Sequence, residues 1–157
     1  SVNSNRFALK FFFIKSSNID RYGEEINKIF YNASKKFLNF YFFESLGREK
    51  YFSLLKYSDW VIGNSSSGII EVPSLKRGTI NLGIRQKSRS NNKSIINSNI
   101  SLHDINRSVK KLFSKKYQRE LKKNRNIYEQ KNTSGKILNL LLNCNLNKPN
   151  NKKFYNV

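Results

Sequence analysis

A glycine-flanked run of serines carries the most chemistry in this sequence. Residues 63–68 read GNSSSG, after the apolar residues 60–62 and ahead of a short apolar segment with helical character. Serine hydroxyls and backbone N–H groups at a helix start can hydrogen-bond phosphate oxygens, and the helix dipole favours negative charge there. Ser65, Ser66 and Ser67 are therefore predicted to bind a diphosphate. A serine-rich turn that only caps a helix is at least as good an interpretation of the spacing alone.

Two charged residues extend this candidate site. Glu71 falls in the first turns of an otherwise apolar helix, where a carboxylate needs a partner. Paired ribose hydroxyls would be a bidentate partner, and compensation of the helix dipole is the alternative of equal weight. Arg85 follows the fourth predicted strand, and its guanidinium can donate to phosphate oxygens if the third and fourth strands are neighbours. The alternative interpretation is that Arg85 is one of the many exposed surface cations of a very basic chain.

Other familiar catalytic groups are missing from the sequence. His103 is the single histidine, and its place at a predicted helix start favours capping or surface exposure over catalysis. The sequence has no histidine pair, C-x-x-C motif or carboxylate cluster typical of a metal site. We therefore predict no metal and no cofactor.

Short apolar runs alternate with helical patterns along the chain, and this alternation predicts the elements that position the site. Strands are predicted at residues 8–14, 40–43, 60–63, 79–83 and 94–99, and helices at residues 22–37, 51–57 and 69–75 and from residue 102 onward. Strands alternating with helices predict an α/β fold, a Rossmann-like parallel sheet with helices on both faces. Ligands of such a sheet bind beyond the carboxyl ends of its strands, where residues 63–68 would lie.

Length and composition limit the class of protein. The chain has 157 residues, enough for one domain with a core, and its lack of Met predicts a piece of a longer protein. The single cysteine, Cys144, excludes a disulfide framework within the chain and favours a cytoplasmic location. Every apolar run is far shorter than the roughly 20 residues of a membrane span, so we predict no membrane partner.

The formal net charge of +20 raises the question of nucleic-acid binding. It comes from 30 Lys and Arg against 10 Asp and Glu, and clustered cations would favour a phosphate backbone. Lys, Asn, Ile, Phe and Tyr are abundant while Ala and Pro are scarce, which favours AT-rich codon usage as the explanation. The cations of residues 107–131 are spaced around a helix rather than along one face. Nucleic acid is therefore a disfavoured partner, and a basic nucleic-acid-binding module is the alternative function.

Three segments together resemble a known family. Residues 63–74 (GNSSSGIIEVPS), 79–83 (TINLG) and 85–89 (RQKSR) resemble the C-terminal domain of UDP-N-acetylglucosamine 2-epimerases. The GNSSSG form, followed by G-x-R-Q-x-x-R, resembles the hydrolysing branch of that family. The resemblance extends from about residue 11 to about residue 142.

The resemblance implies a fold, an activity and a set of substrate contacts. It implies one half of a glycosyltransferase-B-like enzyme, with a UDP-sugar bound between two Rossmann-like domains. The implied reaction converts UDP-N-acetylglucosamine into N-acetylmannosamine and UDP for sialic-acid-type sugar synthesis. The substrate-binding residues that it implies are Ser65 and Ser66 at the diphosphate, Glu71 at the ribose, Arg85 at the phosphates, Asn18 at the substrate and the backbone of Leu46 at the uracil.

Some positions depart from the family pattern. Ser17 stands where the family has a proline before Asn18, and residues 128–132 lack its Tyr-Gly-Asp-Gly pattern. The family's acidic catalytic residues and interdomain histidine would lie upstream of residue 1. We therefore expect residues 8–143 to form a C-terminal UDP-binding domain, with flexible ends at residues 1–7 and 144–157.

The resemblance also implies a partner for this domain and leaves one alternative function open. The missing N-terminal domain is the expected partner of this domain, and the fragment alone is expected to be inactive. A homo-oligomer is an open alternative for the full-length protein. Another glycosyltransferase-B-like UDP-sugar enzyme is the remaining alternative function.

Overall fold

The fold is a parallel α/β arrangement, as the sequence predicts. The computed structural model describes residues 9–15, 22–89 and 92–144. The chain divides into two compact units, residues 1–58 and 59–157, each with its own parallel strands and flanking helices. The flexible ends predicted at residues 1–7 and 144–157 lie outside the described residues, except for Cys144.

Aromatic side chains hold the first unit together. Its elements are β1 (Phe11–Ile14), α1 (Gly23–Lys36), β2 (Phe40–Phe43) and α2 (Gly47–Tyr57). The two strands pair in parallel, with Phe11 opposite Phe40. The ring of Phe13 stacks on Phe30 of α1 at 4.1 Å between centroids, so one face of the strand pair is covered by α1. Acidic residues in the first turn of α1 and basic residues in its last turn suit the helix dipole.

The second unit contains a three-stranded parallel sheet in the order β3-β4-β5. Its elements are β3 (Trp60–Gly63), α3 (Ser67–Ile70), a 3-10 helix (Val72–Leu75), β4 (Gly78–Leu82), β5 (Ile95–Ser98), α4 (Leu102–Leu112), α5 (Lys115–Lys123) and α6 (Thr133–Leu142). The helix predicted at residues 69–75 is thus divided in two. Pro73 explains the division, because it has no N–H to donate to the carbonyl of Ile69.

The central strand β4 is covered on both faces. Ile80 is completely buried and packs in a cluster with Ile96, Leu112, Tyr117 and Leu121. On the other face, toward α3, the Thr79 hydroxyl donates to the carbonyl of Gly68 at 2.7 Å. Helices therefore cover the two sides of this sheet, as the predicted fold class requires.

The last helix, α6, is apolar but unburied. None of its residues is buried, and the side chains of Leu140 and Leu142 are more than 70% exposed. Among the described helices, none combines the length and the apolar composition that crossing a membrane requires.

Candidate functional site

The serine run leaves the sheet at the carboxyl end of β3. Gly63, the last residue of β3, pairs in register with Asn81 of β4. Its φ of 153° is a conformation that residues with a side chain rarely adopt, so glycine permits the turn out of the strand. Residues 64–68 then lead directly into α3. The sequence placed this segment correctly, beyond the carboxyl end of a parallel strand.

Ser65 and Ser66 lie where α3 begins. The Ser66 carbonyl accepts from the N–H groups of Ile69 and Ile70 at 3.0 and 2.9 Å, but its hydroxyl makes no capping hydrogen bond. The Ser65 hydroxyl accepts from the N–H of Ser67 at a long 3.4 Å. Capping therefore engages the Ser65 side chain only weakly and leaves the Ser66 hydroxyl to other partners. Their binding to a diphosphate stays a prediction.

The third serine, Ser67, is hydrogen-bonded to Glu71. Its hydroxyl donates to the Oε2 atom of the Glu71 carboxylate, one helical turn further along the chain. The Ser67 proton is therefore directed at a carboxylate rather than at a phosphate. Glu71 is half-buried at the junction between α3 and the 3-10 helix. A carboxylate accepts about four hydrogen bonds, so the Ser67 contact leaves acceptor positions for ligand hydroxyls.

The loop after β4 is tied to the serine run. Strands β3 and β4 are neighbours, as the proposed position of Arg85 requires. Gln86 is only 7% exposed, and its Nε2 donates to the carbonyl of Asn64 at 3.0 Å. The exposed Arg85 adjoins this anchored residue. Gln86 is not among the site residues predicted from the sequence, where its only signal is its place beside Arg85 in the G-x-R-Q pattern.

The first unit places Leu46 beside a small cavity. Leu46 is the half-buried residue that precedes α2, and it lines a cavity of about 280 Å³ together with Ile14, Gly47, Arg48 and Tyr51. Ile14 ends β1, so this cavity also lies at the carboxyl end of a strand. The role of Leu46 at a uracil stays a prediction. Asn18 lies outside the described residues.

The second unit has a larger cavity, at the amino ends of β3 and β4. It measures about 450 Å³ and is lined by residues that precede or begin β3 and β4, including Asp59, Trp60, Lys76 and Arg77. Ligands of open parallel sheets bind at the carboxyl ends, so we do not place the candidate site there despite the larger volume. Within residues 9–15, 22–89 and 92–144, His, Cys, Asp and Glu side chains form no group of three suited to a metal ion.

The start of α4 is a self-contained polar cluster. Hydrogen bonds from Asn99 and Ser101 hold the pKa of the Asp104 carboxyl below its usual value, and the nearby Arg107 guanidinium, 2.8 Å away, lowers the pKa further. The Ser101 hydroxyl caps the helix by accepting from the Asp104 N–H. The side chain of His103 is 84% exposed, which confirms its predicted surface position. This cluster stabilises a helix end and offers no candidate acid or base.

Comparison with known proteins gives one family. A family profile described as UDP-N-acetylglucosamine 2-epimerase matches residues 4–142. The chain is 42% identical over 103 residues to GDP/UDP-N,N'-diacetylbacillosamine 2-epimerase (hydrolyzing) of Campylobacter jejuni. It is 49% identical over 65 residues to polysialic acid biosynthesis protein P7 of Escherichia coli, and 38% identical over 63 residues to UDP-N-acetylglucosamine 2-epimerase of Neisseria meningitidis.

These matches cover much more of this chain than of the relatives. They include 65%, 41% and 40% of the chain, in the same order. The corresponding shares of the relatives are 26%, 17% and 17%. The chain thus spans about a quarter or less of the length of the curated relatives that it matches.

Proposed function

Because the chain belongs to the UDP-N-acetylglucosamine 2-epimerase family, we propose that it is the nucleotide-binding part of a hydrolysing 2-epimerase. The proposed reaction converts UDP-N-acetylglucosamine into N-acetylmannosamine and UDP. The observation that carries the proposal is the serine run at the carboxyl end of β3, with Glu71 one turn into the following helices. The name of the Campylobacter relative, which includes the word hydrolyzing, supports the hydrolysing branch.

Each proposed contact follows from the chemistry of its side chain. Ser65 and Ser66 bind the diphosphate through hydroxyl and backbone donors, and Arg85 binds the same group through its guanidinium. The Glu71 carboxylate accepts from the ribose hydroxyls, and it also accepts from the Ser67 hydroxyl. Leu46 lies at the uracil, and Asn18 is a further substrate contact.

The chain's own contribution to the reaction is to bind the leaving group. In the family mechanism that the resemblance implies, the bond from C1 of the sugar to UDP breaks, and the C2 proton is removed. The electron pair of the C1–O bond leaves with the diphosphate, and water then attacks the glucal product. Preformed donors at Ser65, Ser66 and Arg85 would stabilise the charge that develops on the departing diphosphate.

The groups that move the C2 proton belong to a further domain in this proposal. The small share of each relative that the chain matches supports the existence of such a domain. A two-domain cleft would exclude water and orient the proton-transfer groups. The isolated chain is therefore expected to bind UDP weakly and to release no sugar.

A diacetamido sugar nucleotide is the second candidate substrate. The Campylobacter relative is named for GDP/UDP-N,N'-diacetylbacillosamine, and its match covers 65% of this chain. The Neisseria relative, which is named for UDP-N-acetylglucosamine, matches 40%. The two substrates share the nucleotide diphosphate, so the same residues of this chain would bind either one.

Calorimetric titration of the 157-residue chain tests the proposal. We expect saturable binding of UDP, weaker binding of uridine, which lacks the diphosphate, and no release of free sugar from UDP-N-acetylglucosamine. Titration with GDP then compares the two bases. Failure to bind either nucleotide would refute the nucleotide-binding role, and sugar release by the chain alone would refute the need for a further domain.

Nucleic-acid binding has a separate signature. If the net charge of +20 bound the phosphate backbone of a nucleic acid, the affinity for duplex DNA would fall steeply with salt concentration. A salt-titrated DNA-binding measurement on the same preparation therefore distinguishes this alternative. We expect at most weak binding that does not depend on sequence.

A further inference from the structure

A segment far along the chain returns to the helices that carry Glu71. We call residues 124–129 the strap; they follow α5 directly. Asn126 of the strap is 9% exposed, and its Nδ2 donates both to the carbonyl of Ile70 and to the hydroxyl of Ser74, each at 2.7 Å. Ile70 immediately precedes Glu71, and Ser74 follows it by three residues. One amide group thus holds the backbone carbonyl just before Glu71 and the side chain of a residue just after it.

The Ile70 carbonyl needs such a donor because of where it lies. α3 ends at Ile70 and the 3-10 helix begins at Val72, so Glu71 occupies the junction between them. Carbonyls in the last turn of a helix lack partners within the helix and must find them elsewhere. Asn126 supplies the donor at this position and thereby fixes the geometry of the junction.

The strap is itself anchored at several points. The Asn92 side chain, 4% exposed, donates to the carbonyl of Arg125 at 2.9 Å, and Lys76 donates to the carbonyl of Asn124. The N–H of Tyr128 donates to Oδ1 of Asn126 at 3.0 Å. The Asn126 amide therefore uses its oxygen and its nitrogen at once, which fixes its orientation.

We propose that Asn126 is a positioning residue for Glu71, and the inference rests on the proposed role of Glu71 at the ribose. Asn126 fixes the backbone at the helix junction, while the Ser67 hydroxyl fixes the carboxylate. Together they direct the carboxylate before a ligand arrives. Preorganisation of this kind strengthens a ligand contact because less ordering is needed on binding.

The test compares UDP with 2′-deoxy-UDP, which lacks one of the two ribose hydroxyls. Loss of a hydrogen bond to a charged group corresponds to about tenfold in affinity or more, so the wild-type chain should prefer UDP by about that factor. Asn126→Asp retains the size of the side chain and the acceptor for Tyr128 but removes both donated hydrogen bonds. We expect its preference for UDP to fall at least threefold, toward that of Glu71→Gln.

Two further variants separate positioning from general destabilisation. Ile96→Val weakens the core on the opposite face of β4 and should leave the UDP preference at the wild-type value. Asn92→Ala releases the strap at Arg125 without changing Asn126, and it should lower the preference by a smaller factor. It also serves as the test variant if Asn126→Asp does not fold.

The outcomes distinguish the positioning role of Asn126 from the ribose-binding role of Glu71. A wild-type chain that binds UDP and 2′-deoxy-UDP equally would overturn the ribose role of Glu71, and the positioning role would fall with it. A wild-type preference that persists unchanged in folded Asn126→Asp, or in Asn92→Ala if that variant is needed, would overturn the positioning role alone. A loss of preference in Asn126→Asp that Ile96→Val does not reproduce would establish it.

Discussion

The Thr79 hydroxyl donates to the Gly68 carbonyl at 2.7 Å, while the methyl group of the same threonine fills the space beside the glycine. A Cβ atom built on Gly68 would lie 2.8 Å from Thr79 Cγ2, a separation that real side chains essentially never show. β4 and α3 are therefore in close contact next to the serine run. The last glycine of the GNSSSG segment is required by packing.

Gly68→Ala should destabilise the second unit by about 1–3 kcal/mol, because the added methyl group overpacks this contact. Thr79→Ser retains the hydroxyl but removes Cγ2, so the same Gly68→Ala change should cost much less in that background. Urea unfolding of the four proteins measures the coupling. An equal loss of stability in both backgrounds would contradict the packing explanation.

Glu71→Gln should weaken UDP binding about tenfold, because a neutral amide replaces a charged acceptor. Uridine contains the same ribose, so its affinity should fall by the same factor. Glu120→Gln, at an exposed position of α5, is the matched control and should bind as the wild-type chain does. Titration calorimetry with both ligands gives the comparison, and wild-type affinity in Glu71→Gln would remove Glu71 from the site.

Arg85→Ala should weaken UDP binding about tenfold and leave uridine binding unchanged, because only the diphosphate would contact the guanidinium. Arg119→Ala removes an equal charge from an exposed site on α5 and controls for the general positive potential. Arg85→Lys should restore part of the affinity. A parallel loss for UDP and uridine would argue against a phosphate contact.

Gln86→Leu should lower both stability and UDP affinity, although Gln86 is not predicted to touch the ligand. The change removes the donor to the Asn64 carbonyl, which costs about 1 kcal/mol. It also frees the Arg85 loop from the serine run. Thermal unfolding and UDP titration measure the two effects, and a variant that loses stability but binds UDP normally would limit Gln86 to a structural role.

Tyr117→Phe should change how stability depends on alkaline pH. Burial raises the pKa of Tyr117 to about 12, whereas the pKa of an unfolded tyrosine is about 10. The folded state therefore favours the neutral phenol, whose contribution is fully present below about pH 10 and is lost as the pH rises toward 12. At about pH 11 the wild-type chain should have lost about 1 kcal/mol through this residue.

The phenylalanine variant isolates this effect from other alkaline titrations. Near neutral pH it should be less stable than the wild type, because the 2.6 Å hydrogen bond to the Ser94 carbonyl is gone. The difference should shrink between about pH 10 and 12. Urea unfolding at several pH values measures it, and a constant difference would contradict the shifted pKa.

The sequence alone determined the features that depend on local pattern. Apolar runs of strand length and helical spacing predicted the alternating elements, and the polar turn after residues 60–62 predicted a candidate site at a strand end. The predictions of the elements succeed because hydrophobic periodicity reports directly which face of an element is buried. Pro73, which divides the helix predicted at residues 69–75, was equally visible in the sequence.

Only the tertiary structure decided which residues hold the candidate site in place. Gln86 reaches Asn64 across 22 residues, and Asn126 reaches Ile70 across 56. Both contacts join a side-chain amide to a backbone carbonyl. Every residue has such a carbonyl, so no spacing in the sequence marks the pairing. It arises when folding brings two distant segments together and a buried polar group must find a partner.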